Sequence, residues 1–154
     1  VGIPDHILLK PGRLTKEEFE IMMTHTTLGR DAIQRAEDQL GFPVDFLRLA
    51  KEIAYSHQEK WDGSGYPQGL SGDDIPISAR LMAVADVYDA LISHRVYKPG
   101  MPHEEAVDII RQGGGWHCDP DVCAAFLSAT EQFKAIAERF SDSEQGLAKQ
   151  QPAP

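Results

Sequence analysis

The sequence is poor in cysteine, in positive charge and in long apolar runs. Only two cysteines, Cys118 and Cys123, occur among 154 residues. Five positions apart, they match neither a metal-knuckle spacing nor a disulfide framework. They read as buried helix thiols in a chain kept in a reducing cytoplasm. No apolar run approaches the ~18 residues of a membrane span. The opening VGIPDHILLK has neither the basic nor the apolar region of a signal peptide. The expectation is a cytoplasmic domain that makes no membrane contact. Fifteen Lys and Arg against 24 Asp and Glu leave a formal net charge of −9. That excludes a broad nucleic-acid-binding face, although a local site can still oppose the global field. No GxxxxGK[ST] loop, dinucleotide fingerprint, internal repeat or convincing alternating strand pattern is found.

What is present is helical periodicity. At ~100–200 residues per domain, the chain holds one domain. Residues 1–13 read as an extended segment, since Pro4, Pro11 and Gly12 bar a long helix. Thr15-Lys16-Glu17-Glu18 is a capping box, and the apolar stripe that begins at Phe19, Met22 and Met23 continues through Ala32, Ile33 and Ala36. Gly41-Phe42-Pro43 ends that helix. The next covers roughly 44–58, with Phe46, Ala50, Ile53 and His57 on one face. A loop rich in glycine and proline, residues 60–72, carries Trp61 and Tyr66, which a mere linker would not. ARLMAVADVYDALI, within a helix from about Ile77 to Ser93, is apolar nearly all round and predicts a buried central helix. A short helix spans Pro102 to Gln112. A last one starts at Asp119-Pro120, N-cap and N1, with Val122, Phe126, Phe133, Ile136 and Phe140 on its core side. Residues 1–140 form the domain, and 141–154 read as a frayed or disordered tail. The class is all-α.

Three polar residues occupy positions where this pattern asks for apolar ones. His25 lies on the inward face of its helix, His57 closes the apolar face of the next, and Asp86 interrupts the most apolar helix in the chain. A buried carboxylate without a partner costs several kcal/mol or shifts its pKa strongly. Imidazoles and a metal ion would supply the partner, and His plus carboxylate from separate helices suits Zn, Fe or Mn. The competing reading is that each histidine is a hydrogen-bonded core residue and that Asp86 pairs with Arg80 or Arg95. Arg95 and Lys98, just past the Asp86 helix, either hold phosphate oxygens or offset the helix dipole.

His57-Gln58-Glu59-Lys60-Trp61-Asp62-Gly63-Ser64-Gly65-Tyr66-Pro67 resembles the HHExxDGxGYP signature of HD-GYP domains. Thr24-His25-Thr26, Gly69-Leu70, Ile75-Pro76, Ala85-Asp86-Val87-Tyr88-Asp89-Ala90-Leu91, Arg95-Val96-Tyr97-Lys98 and His117-Cys118-Asp119-Pro120 are similar to further family elements in the same order, over about residues 1–130. The resemblance implies an HD-domain-like helical bundle. It implies a bacterial phosphodiesterase in which a cluster of divalent metal ions, Fe or Mn, activates water to hydrolyse cyclic di-GMP to a linear dinucleotide or GMP. By position, His25, His57 and Asp86 match metal ligands, with Gln58 where a second ligand His is usual. Tyr66, Gly65, Arg95 and Lys98 match substrate-contacting positions. Implied partners are a GGDEF-type cyclase domain at the GYP loop and an N-terminal receiver or sensor domain.

Two departures qualify this. Gln58 offers a metal only a neutral amide oxygen. Val1 falls where the HD-x-G-K motif should just have ended, so the catalytic HD residues would lie upstream. The chain is therefore expected to be an N-terminally truncated bundle, inactive alone, whose exposed apolar surface invites homodimerisation. The rival reading is a degenerate signalling module that binds cyclic dinucleotide or a GGDEF partner through residues 61–67 without turnover. A helical scaffold whose polar residues merely pair with one another is the third.

Overall fold

A computed structural model describes residues 2–42, 44–93 and 100–148, with side chains described as far as Phe140. Its elements are α1 (Asp5–Leu8), α2 (Lys16–Met23), α3 (His25–Leu40), α4 (Asp45–Ser56), a 3-10 turn (Gly72–Asp74), α5 (Ile77–Ile92), α6 (His103–Gly113), α7 (Pro120–Ser128) and α8 (Thr130–Ala148). Among the described residues the only bridge of β type is an isolated one between Gly114 and Cys118. The chain is all-α.

Local chemistry sets the helix ends. The Thr15 side chain accepts from Glu18 N, and the Glu18 carboxylate accepts from Thr15 N, closing the box that opens α2. Asp119 accepts from the N–H groups of Asp121 and Val122, with Pro120 at the first helical position of α7. Gly41, at φ +75°, ends α3 in the left-handed region that a Cβ disfavours.

Two expected helices are each divided. The first breaks at Thr24, because three successive side chains claim backbone carbonyls. Thr24 Oγ1 donates to Ile21 O at 2.6 Å, His25 Nδ1 pairs with Met22 O at 2.7 Å, and Thr26 Oγ1 donates to Met23 O at 2.9 Å. Such back-bonding competes with the helical ladder. The last breaks at Ala129, which leaves helical geometry at φ −118°, ψ 13°. The α8 backbone continues to Ala148, past the start of the expected tail at Ser141.

The core lies in the C-terminal half. Val84 and Tyr88 of α5 pack with Val107 and Ile110 of α6 and with Val122, Cys123 and Phe126 of α7. Tyr88, Phe126 and Phe133 form a ring cluster with centroids 4.9–5.6 Å apart. Both cysteines are buried and unbridged, and burial pushes the Cys118 thiol up to about 11. The N-terminal half is a thinner layer in which α3 packs on α4 and α4 on α5. Several residues expected in the core stand exposed there and on α8: Phe46, Leu81, Ile136 and Phe140. In α5 the buried positions are Ala79, Ala83, Val84 and Tyr88, so the helix buries one side rather than its whole circumference.

Candidate functional site

The break at Thr24 places His25 at the first position of α3, and His57 is the residue that ends α4. Because α3 packs on α4, the two imidazoles meet, with Nε2 atoms 3.2 Å apart and ring centroids 5.2 Å apart. Each Nδ1 faces a backbone carbonyl: Met22 O at 2.7 Å for His25, and Ile53 O at 2.9 Å for His57. A carbonyl only accepts, so each Nδ1 carries the proton and each Nε2 presents a lone pair to the other. Two facing acceptors have no hydrogen bond to make between them and require a proton or a cation. An Nδ1–H held by a backbone carbonyl is also how metal-binding imidazoles are commonly oriented. The pair therefore fits a metal ion as part of a ligand set.

Asp86 is not buried as the apolar pattern predicts. It is exposed, on the side of α5 that also carries Met82 and Asp89. Gln58 Nε2 donates to Asp86 Oδ2 across a long 3.4 Å. Arg80 does not pair with Asp86 but is committed to Asp119. Among the described residues, no three of His, Cys, Asp and Glu converge closely enough to hold a metal ion. The histidines stand as a pair, with Gln58 and Asp86 as a hydrogen-bonded couple nearby.

Tyr66 belongs to the same cluster, edge to face with His25 at 6.3 Å and with Phe19 at 5.9 Å. Burial, and then the nearby Asp86 charge, raise the Tyr66 phenol above its ordinary value, so it remains a hydrogen-bond donor at neutral pH. Arg95 and Lys98 lie outside the described residues.

The 57–72 loop is held as one unit. Glu59, 4 % exposed, accepts from Gln68 N at 2.8 Å and Leu70 N at 3.0 Å, one carboxylate oxygen each. Tyr66 N donates to Gln58 O at 3.1 Å. Gly65 presses on the 58–60 backbone so closely that a Cβ there would lie 2.4–2.5 Å from Lys60 N, Gln58 O and Glu59 Cα. The fold thus requires glycine at position 65 for packing, whatever else that backbone touches. The Asp62 carboxylate accepts from Ser64 and is held below its ordinary range by that bond. Trp61 N and Asp62 N donate to His117 O and Trp116 O, tying the loop to the turn between α6 and α7. Arg80 locks the other side. It donates to Asp119 at 2.8 Å, Asp73 at 3.0 Å and Ile75 O at 2.8 Å, and lies over the Trp61 ring at 5.7 Å. Burial alone would raise the Asp119 carboxyl, but the bonds from Arg80, Asp121 N and Val122 N outweigh it and hold it low.

Sequence reasoning leaves out the roles of Glu59 and of the Arg80–Asp119 pair. Glu59 is visible only as one letter of a motif, and Asp119 only as a helix cap and one letter of the His117–Pro120 element. A cavity of about 580 Å³ lies elsewhere, between the end of α3 and the start of α4 near Phe42, Asp45 and Arg48, and shares no residue with the histidine cluster.

Residues 1–122 match the family model described as an HD domain. The chain belongs to the HD-domain family. This HD domain is 58 % identical over 147 residues to a "Probable cyclic di-GMP phosphodiesterase" of Vibrio cholerae, covering 96 % of the chain and 33 % of that protein. It is 42 % identical to the "3'3'-cGAMP-specific phosphodiesterase 2" of the same organism, over 92 % of the chain and 26 % of the relative. It is 38 % identical to the "Cyclic di-GMP phosphodiesterase response regulator RpfG" of Xanthomonas campestris, over 92 % and 36 %. The HD domain thus spans about a third of the length of the curated relatives it matches. No helix among the described residues is long and apolar enough to cross a membrane.

Proposed function

We propose that the intact protein is a metal-dependent phosphodiesterase that hydrolyses the phosphodiester of cyclic di-GMP to a linear dinucleotide or GMP. The observation that carries this reading is the facing of two Nε2 lone pairs, 3.2 Å apart, with both Nδ1–H groups tied to the backbone. The names of the relatives supply the substrate class.

In this reading His25 and His57 hold a divalent ion, Fe or Mn, with Asp86 and the amide oxygen of Gln58 as neighbours that can turn toward it. When bound, such an ion would supply Lewis-acid charge for a phosphoryl oxygen and for the attacking water. Tyr66 donates a hydrogen bond to substrate beside the pair, and Arg95 and Lys98 oppose the phosphate charge. Gly65 brings the loop backbone within reach of the same ligand. The site works in the cytoplasm, with a receiver or sensor domain in the intact chain and a GGDEF-type domain as the partner of the 61–67 loop.

Metal analysis of the intact protein, paired with a cyclic di-GMP turnover assay, tests the proposal. Bound Fe or Mn with turnover is expected, and His57→Ala should lose both. Absence of metal from the purified and reconstituted protein overturns the enzyme reading. Metal with no turnover supports the second reading, a binding module, which Gln58 at the position of an imidazole favours.

A further inference from the structure

Phe19 presents an apolar ring at the edge of a polar site. It lies one turn into α2, a helix with no buried residue, and is itself 46 % exposed. Its neighbour across the gap is Tyr66, at 5.9 Å and 85°, and Tyr66 stands 6.3 Å from His25 at 87°. Phe19 is thus the outermost of three rings that begin at the imidazole pair and step outward to the surface. In a perpendicular pair, at most one face of Phe19 can be occupied by Tyr66. At 46 % exposure, Phe19 keeps surface open to solvent that a planar group can cover.

The geometry points to Phe19 as a base-stacking residue for the dinucleotide bound at the histidine site. The assignment rests on the function proposed above and adds a binding element to it. A cyclic dinucleotide brings two kinds of surface to a protein: phosphates, which cations address, and purine faces, which need an aromatic partner. Phe19 approaches the site from α2, next to the Tyr66 ring. Stacking is tolerant of base identity, since every base has a π-face. Phe19 therefore sets affinity for purine dinucleotides without separating guanine from adenine.

The test is the dissociation constant of the intact protein for cyclic di-GMP, by calorimetry with hydrolysis suppressed by chelator, together with KM and kcat in metal. Phe19→Ala and Phe19→Leu are expected to weaken binding by roughly 5- to 150-fold, the range base stacking carries on truncation, and to raise KM while leaving kcat unchanged. Phe19→Trp is expected to restore both, and 3'3'-cGAMP should lose affinity in parallel. Restoration by Leu as complete as by Trp would show an apolar filler and overturn the assignment. So would a fall in kcat at constant KM, which would mean that Phe19 acts only by placing Tyr66. Wild type that binds without turnover retires the hydrolase reading and leaves the dissociation constants to decide Phe19. Wild type that does neither retires both.

Discussion

Replacing Glu59 by Gln changes one atom of the carboxylate and should release the loop that carries Tyr66. In the wild type, one carboxylate oxygen accepts from Gln68 N and the other from Leu70 N. An amide keeps one acceptor and turns an NH2 group toward the second N–H, so one bond is lost and two donors face each other. A hydrogen bond to a charged group contributes ~1.5–3 kcal/mol, and a buried donor left unmade costs ~1–3 kcal/mol. Gln68 is exposed and water can reach its N–H, which favours the lower end. The expected loss is about 2 kcal/mol, or roughly 4–8 °C in Tm for a domain of this size. Glu59→Ala loses both acceptors and should cost more. Circular dichroism gives the global change. Tryptophan fluorescence gives the local one, since Trp61 lies in the loop and Trp116 O accepts from Asp62 N. Hydrogen exchange at the amides of Gln68 and Leu70 is the decisive reading. If both stay protected in Glu59→Gln and Tm does not move, Glu59 is not what holds the loop.

Gly65→Ala should be more damaging than an ordinary overpacking change of ~1–3 kcal/mol, because the added Cβ meets backbone rather than a side chain that can rotate away; thermal melts and turnover should fall together. Asp119 should shape the acid limb of stability. Its folded carboxyl is held below the ordinary 3.8, so its contribution is complete above that value and is lost as pH falls through the lower folded one. Asp119→Asn should flatten acid unfolding followed by circular dichroism, and an unchanged acid limb would refute the role given to Arg80. Gln58→His in the intact protein should raise metal content and turnover, and no rise in either would show that Gln58 is not the weak point.

Much of the fold is legible in the sequence because its signals are local. The capping box at Thr15, the cap and proline at Asp119-Pro120, and Gly41 each act within one turn of backbone, and each appears where composition places it. The division of α2 from α3 is less legible, because it depends on three side chains turning back on their own carbonyls instead of outward. Thr24, His25 and Thr26 suit either choice until the packing selects one.

The site divides in the same way. The residues of the GYP loop and the two histidines stand out by type and order, since no other residue type offers an imidazole lone pair and only glycine lacks the Cβ that the approach at position 65 excludes. Only the tertiary structure decides that His25 and His57 face each other through Nε2, because that depends on the packing of α3 against α4 and on which carbonyl each Nδ1 meets. It also decides that Asp86 is exposed beside Gln58, that Arg80 serves Asp119, and that Glu59 closes the loop. Periodicity assigns a residue to a side of its own helix. It carries no information about which neighbour covers that side, and the covering neighbour is what turns a polar residue into a ligand, a cap or a clamp.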